Sequence, residues 1–356
     1  MPKQALKISI IVPVHNGGAD FQQCLLSLAQ ARPAPAEIIV VDDGSHDGSA
    51  ELAEKFGAKV LRTKAARGPA HARNLGAREA NGDILFFVDA DVTIPVEALA
   101  QIAQVFDNDP ELAALIGSYD DAPAAANFLS QYKNLFHHYV HQTASEVAST
   151  FWGACGAIRR DVFMKLNGFD EGYRRPCIED IELGYRLKQA GYGIRLCKAL
   201  QVKHRKRWEP RSLLRTDFAQ RALPWASLIL QRGQFVNDLN LKFSSRASVA
   251  LVYGFVCALA GAAWQTRLLV VAALCGALLV GLNISVYRFF HHKRGLAFAL
   301  QTVPWHWLYF FYSGLAFALA VARHSYARAM KSQRAKEIPR LETTQLIQSS
   351  SVGDFS

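Results

Sequence analysis

The run Ile84-Leu85-Phe86-Phe87-Val88, closed by two acids one residue apart, Asp89 and Asp91, constrains this chain more than any other stretch. Consecutive apolar residues with no alternation mark a strand covered on both faces, as inside a parallel sheet. Positions i and i+2 of an extended chain point the same way, so the two carboxylates leave the strand end together. They repel each other unless a cation lies between them. A hard divalent ion such as Mg²⁺ or Mn²⁺ takes oxygen ligands and completes its shell with phosphates and water. Ligands of open α/β sheets bind beyond the carboxyl ends of the strands. A D-x-D tripeptide on its own is more often a solvated turn, so its company decides.

The chain before it repeats the design. Residues 7–13 read as a first strand running into a loop at Pro13, kept open by Gly17 and Gly18. Residues 38–41 read as a second buried strand, followed by Asp42, Asp43 and a turn rich in Gly, Ser and Asp. Adjacent residues point in opposite directions, so one of these acids can serve the turn backbone while the other faces a ligand crevice; both could equally be turn residues. Lys59–Arg62 is a short third strand. Strands alternating with helical patterns predict βαβ units and a parallel sheet. Gly68-Pro69 then opens a helix with Arg67 and Arg73 near its start, a setting suited to a diphosphate or to simple solvation.

Four segments carry a resemblance: I-V-P-V-H-N (residues 11–16), V-V-D-D-G-S-H-D-G-S (40–49), G-P-A-H-A-R-N-L-G (68–76) and G-D-I-L-F-F-V-D-A-D (82–91). In this order and spacing they resemble the nucleotide-binding half of the family 2 inverting glycosyltransferases, which have the GT-A fold, and the likeness extends to about Trp208. It implies an α/β, Rossmann-like catalytic domain that binds a nucleotide diphosphate sugar. The loop of Pro13, Val14 and Asn16, together with Asp43, would hold the nucleotide. Asp89 and Asp91 would form the D-x-D, with Asp91 the direct metal ligand. Arg73 would sit near the donor. Neither G-x-x-x-x-G-K-S/T nor G-x-G-x-x-G is present to favour an ATPase or a dehydrogenase.

Further along, His137, His138 and His141 leave a zinc site conceivable, but there is no H-E-x-x-H and no fourth ligand nearby, and a structural or acceptor-contact role is the better reading. Gly153 and Gly156 allow close approach of a ligand or backbone, and Trp152 offers either a flat face for a sugar ring or a core residue. Residues 167–171, N-G-F-D-E, resemble a G-G-F-D-E segment of the same family with Asn167 in place of the first Gly. Glu179 and Asp180 begin a helix, where carboxylates are stabilised; locally they read as cap and dipole partners. The resemblance makes this E-D pair the supplier of the catalytic base, Asp180. Residues 191–196 and 199–204 read as the last short strands. They lead to K-H-R-K-R-W (203–208), where processive polymerases of the family carry Q-x-x-R-W. His204 replaces the Gln, which argues against a polymerase and makes His204 a candidate metal or diphosphate contact. Arg207 and Trp208 remain as acceptor-side residues, or as an interfacial anchor.

The net charge of +10 is concentrated: between Arg186 and Arg246, 14 Lys/Arg stand against 3 Asp/Glu. The apolar segments that flank this block on its C-terminal side account for it better than nucleic acid does. Residues 211–245 mix arginines with aliphatics at helical spacing, as an amphipathic helix lying in a membrane interface does. Residues 247–264 and 268–287 carry no charge over 18 and 20 residues, and residues 296–322 none over 27. Each is long enough to span. The first two read as a hairpin and the third as a further span, although basic residues on both sides of it conflict with an odd number of crossings. Residues 337–356 lack periodicity and read as disordered. The six cysteines form no C-x-x-C pair, which fits a reduced compartment, and the apolar start is too short for a signal peptide or a span.

The expectation is therefore a cytoplasmic GT-A domain (1–210), an interfacial segment (211–245), inner-membrane helices (246–323) and a basic, then disordered tail (324–356). Its partners would be a nucleotide diphosphate sugar and a lipid or lipid-linked acceptor, with Mg²⁺ or Mn²⁺. A processive polysaccharide synthase, a nucleotidyltransferase and a non-catalytic nucleotide-binding scaffold are the rivals.

Overall fold

The fully apolar strands lie at the centre of the sheet and the mixed ones at its edges. The computed structural model describes residues 5–233 and 242–350, with side chains described as far as residue 330. Its strands are β1 (Ile8–Val14), β2 (Glu37–Asp42), β3 (Lys59–Arg62), β4 (Ile84–Val88), β5 (Val92–Thr93), β6 (Ala114–Tyr119), β7 (Cys155–Arg159) and β8 (Ile194–His204). They form one sheet in the order β3-β2-β1-β4-β7-β6-β8-β5. β1 lies parallel between β2 and β4, while β7 runs antiparallel to β4 and β6. The strand order turns at β1, so the crevice beyond the ends of β1 and β4 is a topological switch point, the usual ligand site of such sheets. This is the expected Rossmann-like GT-A domain, with a mixed rather than wholly parallel sheet. The two short strands expected at 191–196 and 199–204 are one, β8, whose pairing with β6 shifts register between Ile116 and Ser118.

Beneath the switch point, Phe87 of β4 packs against Phe151, Phe163 and Phe169 with ring centroids 6.2, 5.3 and 5.2 Å away. This aromatic floor supports the Arg73 guanidinium, 5.4 Å from the Phe169 ring. The stretch 119–150, in which only the spacing of His137 and His141 points to a helix, holds a 16-residue helix, Phe128–Thr143.

The C-terminal part does not stand apart from the domain. Pro210–Arg215, a π-helical turn Thr216–Ala222 and Leu223–Arg232 continue one another across its surface. Leu228 is buried with Ile178 and Tyr185, and Arg232 pairs with Glu182 at 2.9 Å. The rest of the expected interfacial segment, at 234–241, lies outside the described residues. Phe243–Gly261 and the helix from Leu296 are each long and apolar enough to cross a membrane. The expected span 268–287 is broken. Leu268–Leu282 ends at Asn283, and Ile284–Arg294 leaves at 63°. Asn283 Nδ2 donates to the Leu279 carbonyl and to Ser248 Oγ, both at 2.9 Å, and this polar anchor holds the break in place. Ile284–Arg294 then turns back to the catalytic domain, burying Phe290 against Tyr132 and pairing Lys293 with Asp121.

The last helix, Leu296–Ser350, begins along the domain: Phe298 packs near Phe128 at 4.9 Å and Tyr309 near Phe136 at 5.6 Å. It continues beyond residue 337, where the sequence predicts disorder, and carries Pro339 within it; residues 351–356 lie outside the described residues.

Candidate active site

One cavity of about 570 Å³ opens beyond β1 and β4. Pro13, Val14, Asn16, Asp43, Arg73, Asp89, Asp91, Trp152, Glu179, Asp180, His204, Arg207 and Trp208 all line it. Gly153 supports it from behind, against Arg73.

Arg73 is the link between its two acidic walls. The helix Pro69–Glu79 buries this side chain, which donates from Nη2 to Asp89 Oδ1 at 2.6 Å and from Nη1 to Glu179 Oε1 at 2.9 Å. A side chain behind it would be tight: a Cβ on Gly153 would lie 3.0 Å from Arg73 Cζ and Nη2, so the guanidinium would have to shift by a few tenths of an ångström. Glu179 also accepts the Cys177 N–H at 2.9 Å. The E-D pair thus divides its work, Glu179 facing inward to Arg73 and Asp180 facing the cavity. The Gly153 N–H donates to Asp180 Oδ2 at 3.0 Å. Desolvation, reinforced by neighbouring Glu179, pushes the Asp180 carboxyl up to about 6, the range in which a carboxylate serves as a general base near neutral pH.

The two acids of the D-x-D are separated in the same way. Asp89 is held by Arg73. Asp91 faces His204, with Nε2 3.4 Å from Oδ2. His204 Nδ1 is tied to Asn134 Oδ1 at 2.8 Å and its ring stacks on Tyr119 at 4.7 Å. With Nδ1 donating to Asn134, Nε2 turns a lone pair towards a carboxylate. In that neutral form the two can share a divalent cation, whereas a protonated Nε2 pairs with Asp91 directly. Desolvation alone would raise the Asp91 carboxyl, but His204 and Lys206 outweigh it and hold it below the usual range. Asp91 and His204 offer an oxygen and a nitrogen ligand of the kind a divalent ion takes, and would leave most of its positions to other ligands. Among the described residues no third His, Cys, Asp or Glu joins them.

Of the pair after β2, Asp42 Oδ1 accepts the Ser45 N–H at 3.0 Å and serves the turn. Asp43 reaches the cavity wall, where its carboxylate accepts the N–H groups of Arg67 and Gly68 at 2.9 and 2.7 Å and the Thr63 hydroxyl at 3.0 Å. It fixes the loop 63–68. Asn16, at φ 53°, ties the first loop to the second by accepting the His46 N–H at 2.8 Å. Trp152 is both wall and core: it lines the cavity while packed on Tyr119 and His137, centroids 4.8 and 5.0 Å away. Trp208 is buried with Leu129 and Leu213, whereas the Arg207 side chain is 70% exposed and paired with Glu209. His138 and His141 bond the carbonyls of Tyr119 and Gly117, which is a structural use.

Several cavity residues escape a reading of the sequence. Lys133 and Asn134 come from the helix Phe128–Thr143, and Thr216, Gln220 and Arg221 from the π-turn. The signal for the last group is a charge pair at i and i+4, Asp217 and Arg221, within an apolar segment. Arg73 Nε, Asn134 Nδ2, His137 Nδ1 and Trp208 Nε1 have no partner among the described residues. Buried unsatisfied donors cost about 1–3 kcal/mol each, so this wall is shaped to meet a ligand or water.

Sequence comparison agrees with this geometry. Residues 9–166 match the glycosyl transferase family 2 family, and residues 136–209 match one described as the N-terminal domain of galactosyltransferase. A probable glycosyltransferase of Bacillus subtilis, YdaM, is 29% identical over 214 residues, covering 55% of this chain and 50% of that protein. The O-antigen chain rhamnosyltransferase RfbN of Salmonella typhimurium is 27% identical, covering 58% and 68%. The chain thus spans about half the length of the first relative. The fold of the mannosyltransferase PcManGT from Pyrobaculum calidifontis, solved with GDP-Man and Mn2+, superposes over 89% of this chain and 88% of that one with a TM-score of 0.57 at 18% identity. Residues 9–166 are a glycosyl transferase family 2 domain, built on the GT-A fold.

Proposed function

We propose that the protein is a membrane-anchored, metal-dependent inverting glycosyltransferase that moves a sugar from a nucleotide diphosphate sugar to a lipid or lipid-linked acceptor. The observation that carries this reading is the convergence in one cavity of an Arg73-bridged acid pair, the Asp91–His204 pair and the Asp180 carboxyl. The loop from Pro13 to Asn16 and the Asp43-fixed loop 63–68 form the walls for the nucleotide. Arg73 holds Asp89 and Glu179 in register and sets the guanidinium charge beside the donor. Mg²⁺ or Mn²⁺ bound by Asp91 and His204 would neutralise charge on the departing diphosphate. Asp180 takes the proton from the acceptor hydroxyl as its oxygen attacks the anomeric carbon. The Gly153 N–H fixes the plane of the Asp180 carboxyl for that transfer. Attack opposite the leaving group inverts the anomeric centre.

The membrane part of the proposal rests on the apolar helices. The hairpin of Phe243–Gly261 and Leu268–Leu282 would enter the membrane and return, its second arm being too short to span by itself, and the start of the last helix, though long enough to cross, would lie in the interface beneath the domain. That arrangement leaves the basic segments around 186–246, 288–294 and 323–336 on the cytoplasmic side, as the charge bias of membrane proteins requires.

The test is incubation of the full chain with bacterial membrane lipids and labelled nucleotide sugars. The proposal expects one label to enter the lipid phase as a single added sugar, with a nucleoside diphosphate released. A ladder of many sugars would indicate a polymerase, pyrophosphate release a nucleotidyltransferase, and an unlabelled lipid phase with every donor would overturn the acceptor class.

A further inference from the structure

A second cavity, of about 720 Å³, adjoins the first. Its walls are Phe136 and Val140 of the helix Phe128–Thr143, Trp225 and Ile229 of Leu223–Arg232, Val249 of Phe243–Gly261 and Leu315 of the last helix. Its volume falls within the ~300–1,000 Å³ usual for ligand sites. Lys133, His137 and Arg221 line both cavities and stand at the neck where the two adjoin.

Charge is not evenly placed at this neck. Lys133 Nζ is bound to Asp217 at 2.6 and 2.7 Å, and the Tyr312 hydroxyl donates to the same carboxylate at 2.7 Å. Lys133 is thereby compensated. Arg221, presented by the π-turn, makes no hydrogen bond or ion pair with the described residues, and its side chain is exposed to the cavity. π-turns concentrate at functional sites. An apolar trough therefore ends at a guanidinium with no direct partner among the described residues, with the Asp180 cavity immediately beyond.

From this adjacency we propose that the second cavity holds the hydrocarbon chain of an anionic lipid acceptor, with its phosphate at Arg221 and its reactive hydroxyl turned towards Asp180. The assignment deepens the transferase reading and rests on it for the direction of the hydroxyl. The occupant is a phosphate-bearing chain lipid rather than a neutral one, because Arg221 makes no direct ion pair among the described residues, Asp180 and Asp217 acting on its charge only from beyond contact, while Asp217 is already bound by Lys133 and Tyr312.

The test uses the full chain in phosphatidylcholine vesicles and a photoactivatable diazirine analogue of farnesyl phosphate, with crosslinks mapped by mass spectrometry. Labelling is expected at residues 222–229 and 245–253. Farnesyl phosphate should compete for it about tenfold better than farnesol, the factor expected for one charge-assisted contact. Ala226→Trp and Ser313→Trp fill the trough away from the donor cavity, so each should abolish labelling while leaving donor hydrolysis unchanged. Arg221→Gln should erase the preference for phosphate. Labelling that persists in both Trp variants, or equal competition by farnesol, would overturn the proposal. Labelling as expected in a protein that hydrolyses no donor would refute the transferase reading and leave the trough standing.

Discussion

Arg73→Met offers the most demanding check on the site, because its cost can be worked out from the structure. The guanidinium bonds two carboxylates of unequal burial. Asp89 is 32% exposed at its side chain and Glu179 only 6%. When the guanidinium is removed, water can hydrate Asp89. It reaches the more deeply buried Glu179 far less, leaving the Cys177 N–H as its remaining protein partner. Breaking a buried pair by removing one member costs about 3–5 kcal/mol, nearly all of it here from Glu179. Glu179→Gln in the same chain removes the stranded charge. The double variant should therefore recover much of the loss, with a coupling at the upper end of the ~0.5–3 kcal/mol found for contacting residues. Urea denaturation of the detergent-solubilised protein, followed by tryptophan fluorescence, measures all three variants. A loss below about 1 kcal/mol in Arg73→Met, or strict additivity with Glu179→Gln, would refute the claim that this bridge holds the two acidic walls together.

The same geometry sets the outcome of other perturbations. Asp180→Asn should abolish transfer but retain donor binding, and in the native protein kcat/KM should rise with pH through about 6 as the base loses its proton. Because folding raises this carboxyl, the charged form is penalised in the native state, so Asp180→Asn should be more stable than the native protein above pH 6, the difference fading towards the ordinary carboxyl value of 3.8; a reversed trend in thermal denaturation would contradict the assignment. Gly153→Ala drives a methyl against Arg73 and should lower donor hydrolysis without unfolding the protein, checked by activity alongside circular dichroism. Asn134→Leu removes the partner that orients His204 and should raise the Mn²⁺ concentration for half-maximal hydrolysis by about 10–100-fold, the usual weight of such supporting contacts.

The parts of the molecule that can be read from sequence are those whose burial pattern is one-sided or complete. β1, β2 and β4 are apolar nearly throughout and end in acids or a proline loop, so their place at the sheet centre is set by residue type. Helix Phe128–Thr143 is barely legible because its polar residues point inward: Asn134, His138 and His141 are all buried, which inverts the pattern a surface helix shows. The segment 211–232 has the pattern of a helix with its arginines in lipid headgroups, yet Arg221 faces the cavity and Arg232 binds Glu182. Composition reports that such a face is charged and is silent on what it meets. The break in the expected span 268–287 turns on one side chain, Asn283, whose effect depends on Ser248 lying opposite. The D-x-D is legible as a pair of acids, but not the division of labour that gives Asp89 to Arg73 and Asp91 to His204, because that needs partners from distant segments.

The central claim is tested most directly by donor hydrolysis, in which water replaces the acceptor. The purified full chain is offered a panel of nucleotide sugars with and without Mn²⁺, beside its Asp91→Ala variant. One donor should be hydrolysed to its nucleoside diphosphate, only with metal and only by the native protein. Hydrolysis that is indifferent to Mn²⁺ and to Asp91→Ala, or none of any donor by the folded protein, would contradict it.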